Sequence, residues 1–151
     1  KVLGMVAGDG PAEGALYLGG GIGGRFDLPA LGVFAALDMR TNTLVWQQHW
    51  PEPCYSGSLA TAGGLVFVGR NDGRLTALDS ANGDKLWDFQ TGAGVPSPDR
   101  TYEQGGKQYV VAFSAGSVFA GSAKGDSVWL FGLDGTLPPV APGVAARPRG
   151  R

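Results

Sequence analysis

The chain has 151 residues, the length of one ordinary domain and enough to bury a sizeable core. Its 12 Lys and Arg against 13 Asp and Glu leave a net charge of −1, which argues against nucleic-acid binding and against a polybasic membrane anchor. The 27 glycines, about 18 % against an average near 7 %, suit tight turns between short strands and oppose long helices. A single Cys54 excludes an internal disulfide and any Cys-rich zinc or haem site, and a single His49 excludes a His-cluster metal site. No apolar run reaches about 18 residues, so no membrane span is expected. The chain opens at Lys1 beside an apolar run at 2–7, without Met or signal peptide, and reads as part of a longer polypeptide.

In chain order, the first strand is predicted at 15–18. The glycine run that follows contains a G-x-G-x-x-G match at Gly19, Gly21 and Gly24. A dinucleotide fingerprint must open a helix after a strand, and Arg25-Phe26-Asp27-Leu28-Pro29 does not. The run is therefore read as a flexible inter-strand loop. Strands are predicted next at 33–38 and 44–49. The pairs 58–61 and 65–68 flank the turn Ala62-Gly63-Gly64 as a hairpin, and Arg70-Asn71-Asp72-Gly73 turns into strand 74–79. A strand at 85–90 completes four in up-and-down order. Strands at 101–103 and 108–114 flank Gln104-Gly105-Gly106-Lys107, and 127–133 is the last.

The chain also repeats itself. Phe34-Ala35-Ala36-Leu37-Asp38 aligns with Leu75-Thr76-Ala77-Leu78-Asp79, and Trp46 aligns with Trp87, both at a spacing of 41 residues. The unit is Ala-x-Asp-x-x-x-(Asn/Gly)-x-x-x-Trp. Asp38 and Asp79 are placed to accept from turn N–H groups two residues on, and Asn42 and Gly83 stand where a turn wants φ > 0. A third, incomplete echo is Val128-Trp129-Leu130-Phe131-Gly132-Leu133-Asp134-Gly135, with no Trp after it. A repeat of about 40 residues holding four strands is the signature of a propeller blade. The expected fold is all-β: four-stranded antiparallel blades, one complete and two partial, in an incomplete ring of two to three blades spanning 1–135. Residues 136–151, rich in Pro and Gly, are expected to form a disordered tail whose arginines, Arg147, Arg149 and Arg151, are solvated. The isolated acids Asp9 and Asp72 are read as turn formers, because no second ligand stands at useful spacing.

The repeat resembles the tryptophan-docking motif of the pyrroloquinoline quinone (PQQ) dehydrogenases. Three longer stretches are similar to that family in the same order: Ser58 through Gly69; Asn71 through Asp79 with Lys85 through Val95; and Thr101-Tyr102-Glu103 with Gly106-Lys107-Gln108-Tyr109-Val110. The resemblance covers roughly 15–135. It implies an eight-bladed propeller, a periplasmic location, PQQ with a calcium or lanthanide ion, a small alcohol as substrate, and cytochrome c or another electron acceptor. It also implies that the remaining propeller blades lie outside this chain. The vicinal disulfide, metal ligands and catalytic Asp of that family have no match here, so no catalytic residue and no metal ligand is assigned. Trp46 and Trp87 match the docking positions, where an indole packs between blades and its N–H finds a carbonyl.

Two segments match the family's C-terminal share of the pocket. In Pro53-Cys54-Tyr55-Ser56-Gly57-Ser58, Tyr55 stands where the family often has a Trp that reaches the quinone, with Cys54 beside it. The other reading of Tyr55 is a loop side chain packing on Pro53, and of Cys54 an inert thiol. In Ser114-Ala115-Gly116-Ser117-Val118-Phe119-Ala120-Gly121, Phe119 matches an aromatic that walls the alcohol pocket. Its other reading is a core ring plugging the propeller end. Two functions remain: the C-terminal part of a PQQ-dependent alcohol dehydrogenase, inactive alone, or a non-catalytic PQQ-repeat propeller acting as a scaffold in outer-membrane assembly. The loops that carry Tyr55 and Phe119 favour the enzyme, since a scaffold has little reason to keep them.

Overall fold

A computed structural model describes residues 3–6, 10, 12–14, 21–25, 31–96 and 100–144. Among the described residues there is no helix; eleven strands form four antiparallel sheets. The first sheet pairs β1 (Leu3–Val6) with β2 (Gly21–Arg25), and the second pairs β3 (Gly32–Asp38) with β4 (Thr43–Trp50). The third is a four-stranded meander: β5 (Ser58–Ala60), β6 (Leu65–Gly69), β7 (Arg74–Asp79) and β8 (Lys85–Gln90). The last holds β9 (Arg100–Gln104), β10 (Lys107–Ser114) and β11 (Ser127–Gly132), with β10 in the middle.

The two copies of the repeat fold alike. Ala36 lies directly across from Trp46, and Ala77 across from Trp87. A small residue is needed there, because its Cβ faces a large indole at close cross-strand distance. Each ladder shifts register at the next residue, between Ala36 and Leu37 and between Ala77 and Leu78. The hairpin turns match too. Asn42 N–H donates to the Asp38 carbonyl at 2.7 Å and Gly83 N–H to the Asp79 carbonyl at 2.9 Å. The carboxylates accept from Arg40 N–H at 2.8 Å and from Ala81 N–H at 2.7 Å. Asn42 and Gly83 close these turns at φ +54° and +78°, a region open to Gly and Asn.

The four-stranded sheet is covered on both faces. Trp46, Val68 and Leu78 form one apolar cluster with Phe34, Ala36 and Trp50; Leu75, Val95, Val110 and Ala112 form another with Leu59, Phe67 and Phe131. Strand β7 is accordingly buried continuously from Leu75 to Leu78, whereas β3 alternates and bares Val33 and Leu37 on its far face. The Trp46 indole N–H donates to the Ser80 carbonyl at 3.0 Å, and Gln48 Nε2 donates to the Gly83 carbonyl at 2.8 Å, so the second sheet grips the β7–β8 turn of the third.

Three expectations differ from what is observed. Residues 21–25 are not a loop but strand β2, because glycines adopt extended backbone freely and β1 supplies a partner. Trp87 was expected to be nearly fully buried, yet it is 39 % exposed against 9 % for Trp46. Its ring meets Phe89 and, edge-on, Phe131, but the last sheet has only three strands among the described residues and leaves the outer side bare. Residues 136–144, expected in a disordered tail, form an irregular strap: Val140 N–H donates to the Gln90 carbonyl at 3.1 Å and Gly143 N–H to the Gly92 carbonyl at 2.6 Å. Of the two readings of Phe119, the core plug does not fit a side chain that is 78 % exposed. The strand expected at 15–18, Gly19, Gly20, Asp9, and the tail from 145 with its three arginines lie outside the described residues.

Candidate functional site

Up-and-down strands bring alternate connections to one end of the sheets. The connections 51–57, 70–73 and 115–126 and the described stretch 91–96 share the end where β4, β6, β8 and β10 finish. Backbone hydrogen bonds join the last three of them into a layer, and side chains of the second hold the first against it. Val95 N–H donates to the Arg70 carbonyl at 3.0 Å and Thr91 N–H to the Gly73 carbonyl at 2.8 Å. Gly94 N–H donates to the Ala123 carbonyl at 3.0 Å, and Gly116 N–H to the Gly94 carbonyl at 2.8 Å. Glycine is required at Gly94, where a Cβ would collide with Ser122 Oγ, and at Gly116, where φ is +78° and a Cβ would collide with the Ala123 carbonyl.

Beneath this layer, two hydroxyls are fully used. Thr91 Oγ1 donates within a cluster formed by the carbonyls of Gly73 and Ala93 and by Ser114 Oγ, 2.9 Å away; Ser114 Oγ also accepts from Ala93 N–H at 3.2 Å. Both residues are buried, so they hold the loop bases together and are not open to a ligand. Sequence reasoning did not single them out, because their partners lie 18 to 23 residues away.

The candidate residues sit at the two flanks of this layer. Tyr55, 43 % exposed, projects from 51–57, and Phe119 projects from 115–126. Among the described residues neither ring pairs with another aromatic ring, so no direct contact brings the two together. Cys54 is a half-buried free thiol packed by Gly32, where a Cβ would stand 2.8 Å from its sulfur. Burial pushes this thiol above its ordinary range; Arg70 pulls it down and Glu52 pushes it up to lesser degrees. Among the described residues no three His, Cys, Asp or Glu side chains converge to hold a metal ion.

An apolar groove lies elsewhere among the described residues. It measures about 700 Å³ and runs between the outer parts of the third and fourth sheets, lined by Leu86, Trp87, Phe89, Trp129, Phe131 and Leu137 among others. None of Cys54, Tyr55 or Phe119 borders it. It is the gap left beside the bare face of Trp87, apolar and without convergent polar groups.

A four-stranded antiparallel meander packed between a two-stranded and a three-stranded sheet, with Trp46 of one sheet bonded to the turn of the next, defines a β-propeller, here an incomplete ring. A family model of PQQ-repeat type, described as outer membrane protein assembly factor BamB, matches residues 28–137, and the chain belongs to that family. It is homologous to quinoprotein alcohol dehydrogenases. Quinoprotein alcohol dehydrogenase PedE of Pseudomonas putida is 44 % identical over 100 residues, 65 % of this chain and 16 % of that protein. Quinoprotein ethanol dehydrogenase of Pseudomonas aeruginosa is 38 % identical over 135 residues, 80 % of this chain and 22 % of that protein. The crystal structure of quinohemoprotein alcohol dehydrogenase from Comamonas testosteroni superposes with a TM-score of 0.66 at 32 % identity, over 78 % of this chain and 19 % of that one. The chain thus spans about a fifth of the length of these relatives.

Proposed function

We propose that the chain is the C-terminal share of the propeller of a PQQ-dependent alcohol dehydrogenase. The observation that carries this reading is that Tyr55 and Phe119 stand on connections at one end of the sheets, in a chain homologous to such enzymes. Bound PQQ would supply the two-electron acceptor for oxidation of an alcohol to an aldehyde. The residues present fit part of its surroundings. The exposed Tyr55 phenol is a donor and acceptor with a flat face, suited to the edge of a quinone. The exposed Phe119 ring is an apolar wall, suited to keeping water from an alcohol's carbon. Cys54 flanks the cofactor side as a protonated thiol.

The calcium or lanthanide ion and the catalytic base are assigned in this reading to other parts of the polypeptide. The reading therefore includes an inactive isolated chain, electrons leaving to a cytochrome c or similar acceptor, and a periplasmic location. A scaffold role in outer-membrane assembly draws on the description of the matched family model; the identity to curated dehydrogenases favours the enzyme.

The test uses the complete dehydrogenase. Tyr55→Ala is expected to weaken PQQ retention on a desalting column, and Phe119→Ala to shift the ranking of alcohols by chain length with PQQ retained. A complete protein that binds no PQQ would favour the scaffold. An unchanged alcohol ranking in Phe119→Ala would remove that residue from the pocket.

A further inference from the structure

Segment 51–57 carries Tyr55 but belongs to no ladder, so something other than strand pairing must fix it. Arg70 stands against it from the β6–β7 turn. Its Nη2 donates to Glu52 Oε2 at 2.7 Å and lies 3.3 Å from Asp72 Oδ2. The guanidinium carbon sits 4.7 Å from the centre of the Trp50 ring. The side chain is only 12 % exposed, and its Nε is buried without an acceptor among the described residues, so the head is held by Nη2 and by the ring. The next residue acts in the same direction: Asn71 Nδ2 donates to the Pro53 carbonyl. Two adjacent residues therefore grip Trp50 by its face, Glu52 by its charge and Pro53 by its carbonyl. On the far side the segment rests on Gly32, where a Cβ would collide with the Glu52 carbonyl.

We infer that Arg70 is a positioning residue that locks segment 52–55 and thereby sets where the Tyr55 phenol stands toward the cofactor. The inference rests on the proposed role of Tyr55. The chemistry calls for arginine. A planar guanidinium can lie flat on an indole while its Nη2 reaches Glu52 and Asp72, whereas a lysine ammonium has no flat face to stack on the ring and keeps only the charge contacts. Asp72 completes the device by sharing its carboxylate between Arg70 and Arg74, which places a second positive charge on the same turn.

Cys54 lies inside the locked segment and reports on it without any cofactor. Its thiol is half-buried and its ionisation suppressed by that burial, so alkylation in the native state is slow and rises when the segment opens. The experiment follows iodoacetamide labelling of the peptide that carries Cys54, by mass spectrometry, in the complete protein well below its unfolding transition. Arg70→Met is expected to raise the rate about tenfold, the scale of losing a charge-assisted hydrogen bond at a buried site. Glu52→Gln keeps the arginine but removes a charge that raises the thiol pKa, so rates are compared per thiolate from a pH series; a few-fold rise on that basis is expected, and it decides the matter if Arg70→Met does not fold. Arg70→Lys should recover part of the protection, and Arg74→Met, which leaves the Glu52 pair intact, should leave it unchanged. Labelling at the wild-type rate in both Arg70→Met and Glu52→Gln would overturn the lock. The same variants are then tested for PQQ dissociation. Faster dissociation in Arg70→Met and not in Arg74→Met supports the positioning of Tyr55. Faster labelling with unchanged dissociation would leave the lock standing and refute the role of Tyr55 itself.

Discussion

Gly83 meets two requirements at once, and each can be broken separately. Its φ of +78° closes the β7–β8 turn, and a Cβ there would stand 2.6 Å from Cδ2 and Cε3 of Trp46. The ring cannot swing away: it is 9 % exposed, its N–H is bonded to the Ser80 carbonyl, and Phe34 packs on it at 5.8 Å. For Gly83→Ala the left-handed backbone costs about 1–2 kcal/mol. Overpacking against a fixed ring adds about 1–3 kcal/mol, for a total near 2–5 kcal/mol. Gly83→Asn separates the two, because Asn accepts the dihedral but still carries a Cβ; it should lose only the overpacking share, about 1–3 kcal/mol. Asn42 is the internal control. It occupies the same turn position at φ +54°, yet it is exposed. Asn42→Ala should cost about 1 kcal/mol and Asn42→Gly close to nothing. The assay is urea denaturation of the complete polypeptide followed by tryptophan fluorescence. If Gly83→Asn melted with the wild type, the close approach of Trp46 to the turn would not be a packing constraint, and the account of how adjacent sheets are joined would fail.

Three further outcomes are expected. Trp46→Ala should cost about 3–5 kcal/mol as a buried aromatic truncation, and Trp87→Ala less in this chain, where the ring is 39 % exposed; denaturant melts that reverse this order would contradict the packing described. The raised folded-state pKa of Cys54 means that the folded state resists thiolate formation, so its stabilising share is intact below the ordinary thiol value near 8.5 and is lost as pH rises through the raised value. Cys54→Ala should therefore flatten the alkaline fall in stability above about pH 8.5, read from urea midpoints, and an unchanged slope would refute that assignment. The isolated 151-residue chain, given PQQ, calcium or a lanthanide, and ethanol, should reduce no dye; reproducible turnover would show that the ligands and base are present after all.

Nine of the strands were legible because two simple signals agreed. Apolar alternation marked the runs, and Gly, Asn and Asp marked the turns between them. The Ala-x-Asp and Trp spacing then aligned two sheets before any contact was known. Strand β2 was not legible, because Gly21, Gly23 and Gly24 carry no strand preference and its pairing is decided by β1 alone. The exposure of Trp87 was not legible either. The motif tells which ring seeks a neighbouring sheet, but whether that sheet has its outer strand is a property of chain outside the motif. The strap at 136–144 was hidden by its Pro and Gly content, which signals irregular backbone without saying whether that backbone finds hydrogen-bond partners. At the site, strand order alone placed Tyr55 and Phe119 at the same end. The Glu52–Arg70–Asp72 ion cluster was not visible, since Glu52 and Arg70 are 18 residues apart and meet only because the β5–β6 hairpin returns to the same end.

The two ends of the sheets carry different kinds of information. At the turn end, the same Asp-to-Gly spacing makes near-identical turns, and the Trp46 indole reads one of them through a carbonyl and a missing Cβ. Identical geometry is what a repeated stacking contact needs, because each sheet must offer its neighbour the same surface. At the loop end, the connections differ in length and composition, from the four-residue turn at 70–73 to the twelve-residue loop at 115–126. They are nevertheless cross-linked by hydrogen bonds from Arg70 through Gly94 to Ala123. That combination, varied side chains on a shared rigid base, is what a binding surface needs. A substitution at Gly83 or Trp46 therefore acts on how the sheets stack, whereas one at Tyr55 or Phe119 leaves the stack intact and alters only what faces the layer. Arg70 belongs to the second group despite its burial: its partners Glu52 and Trp50 lie beside the loop that bears Tyr55, not at the interface of the docking turns.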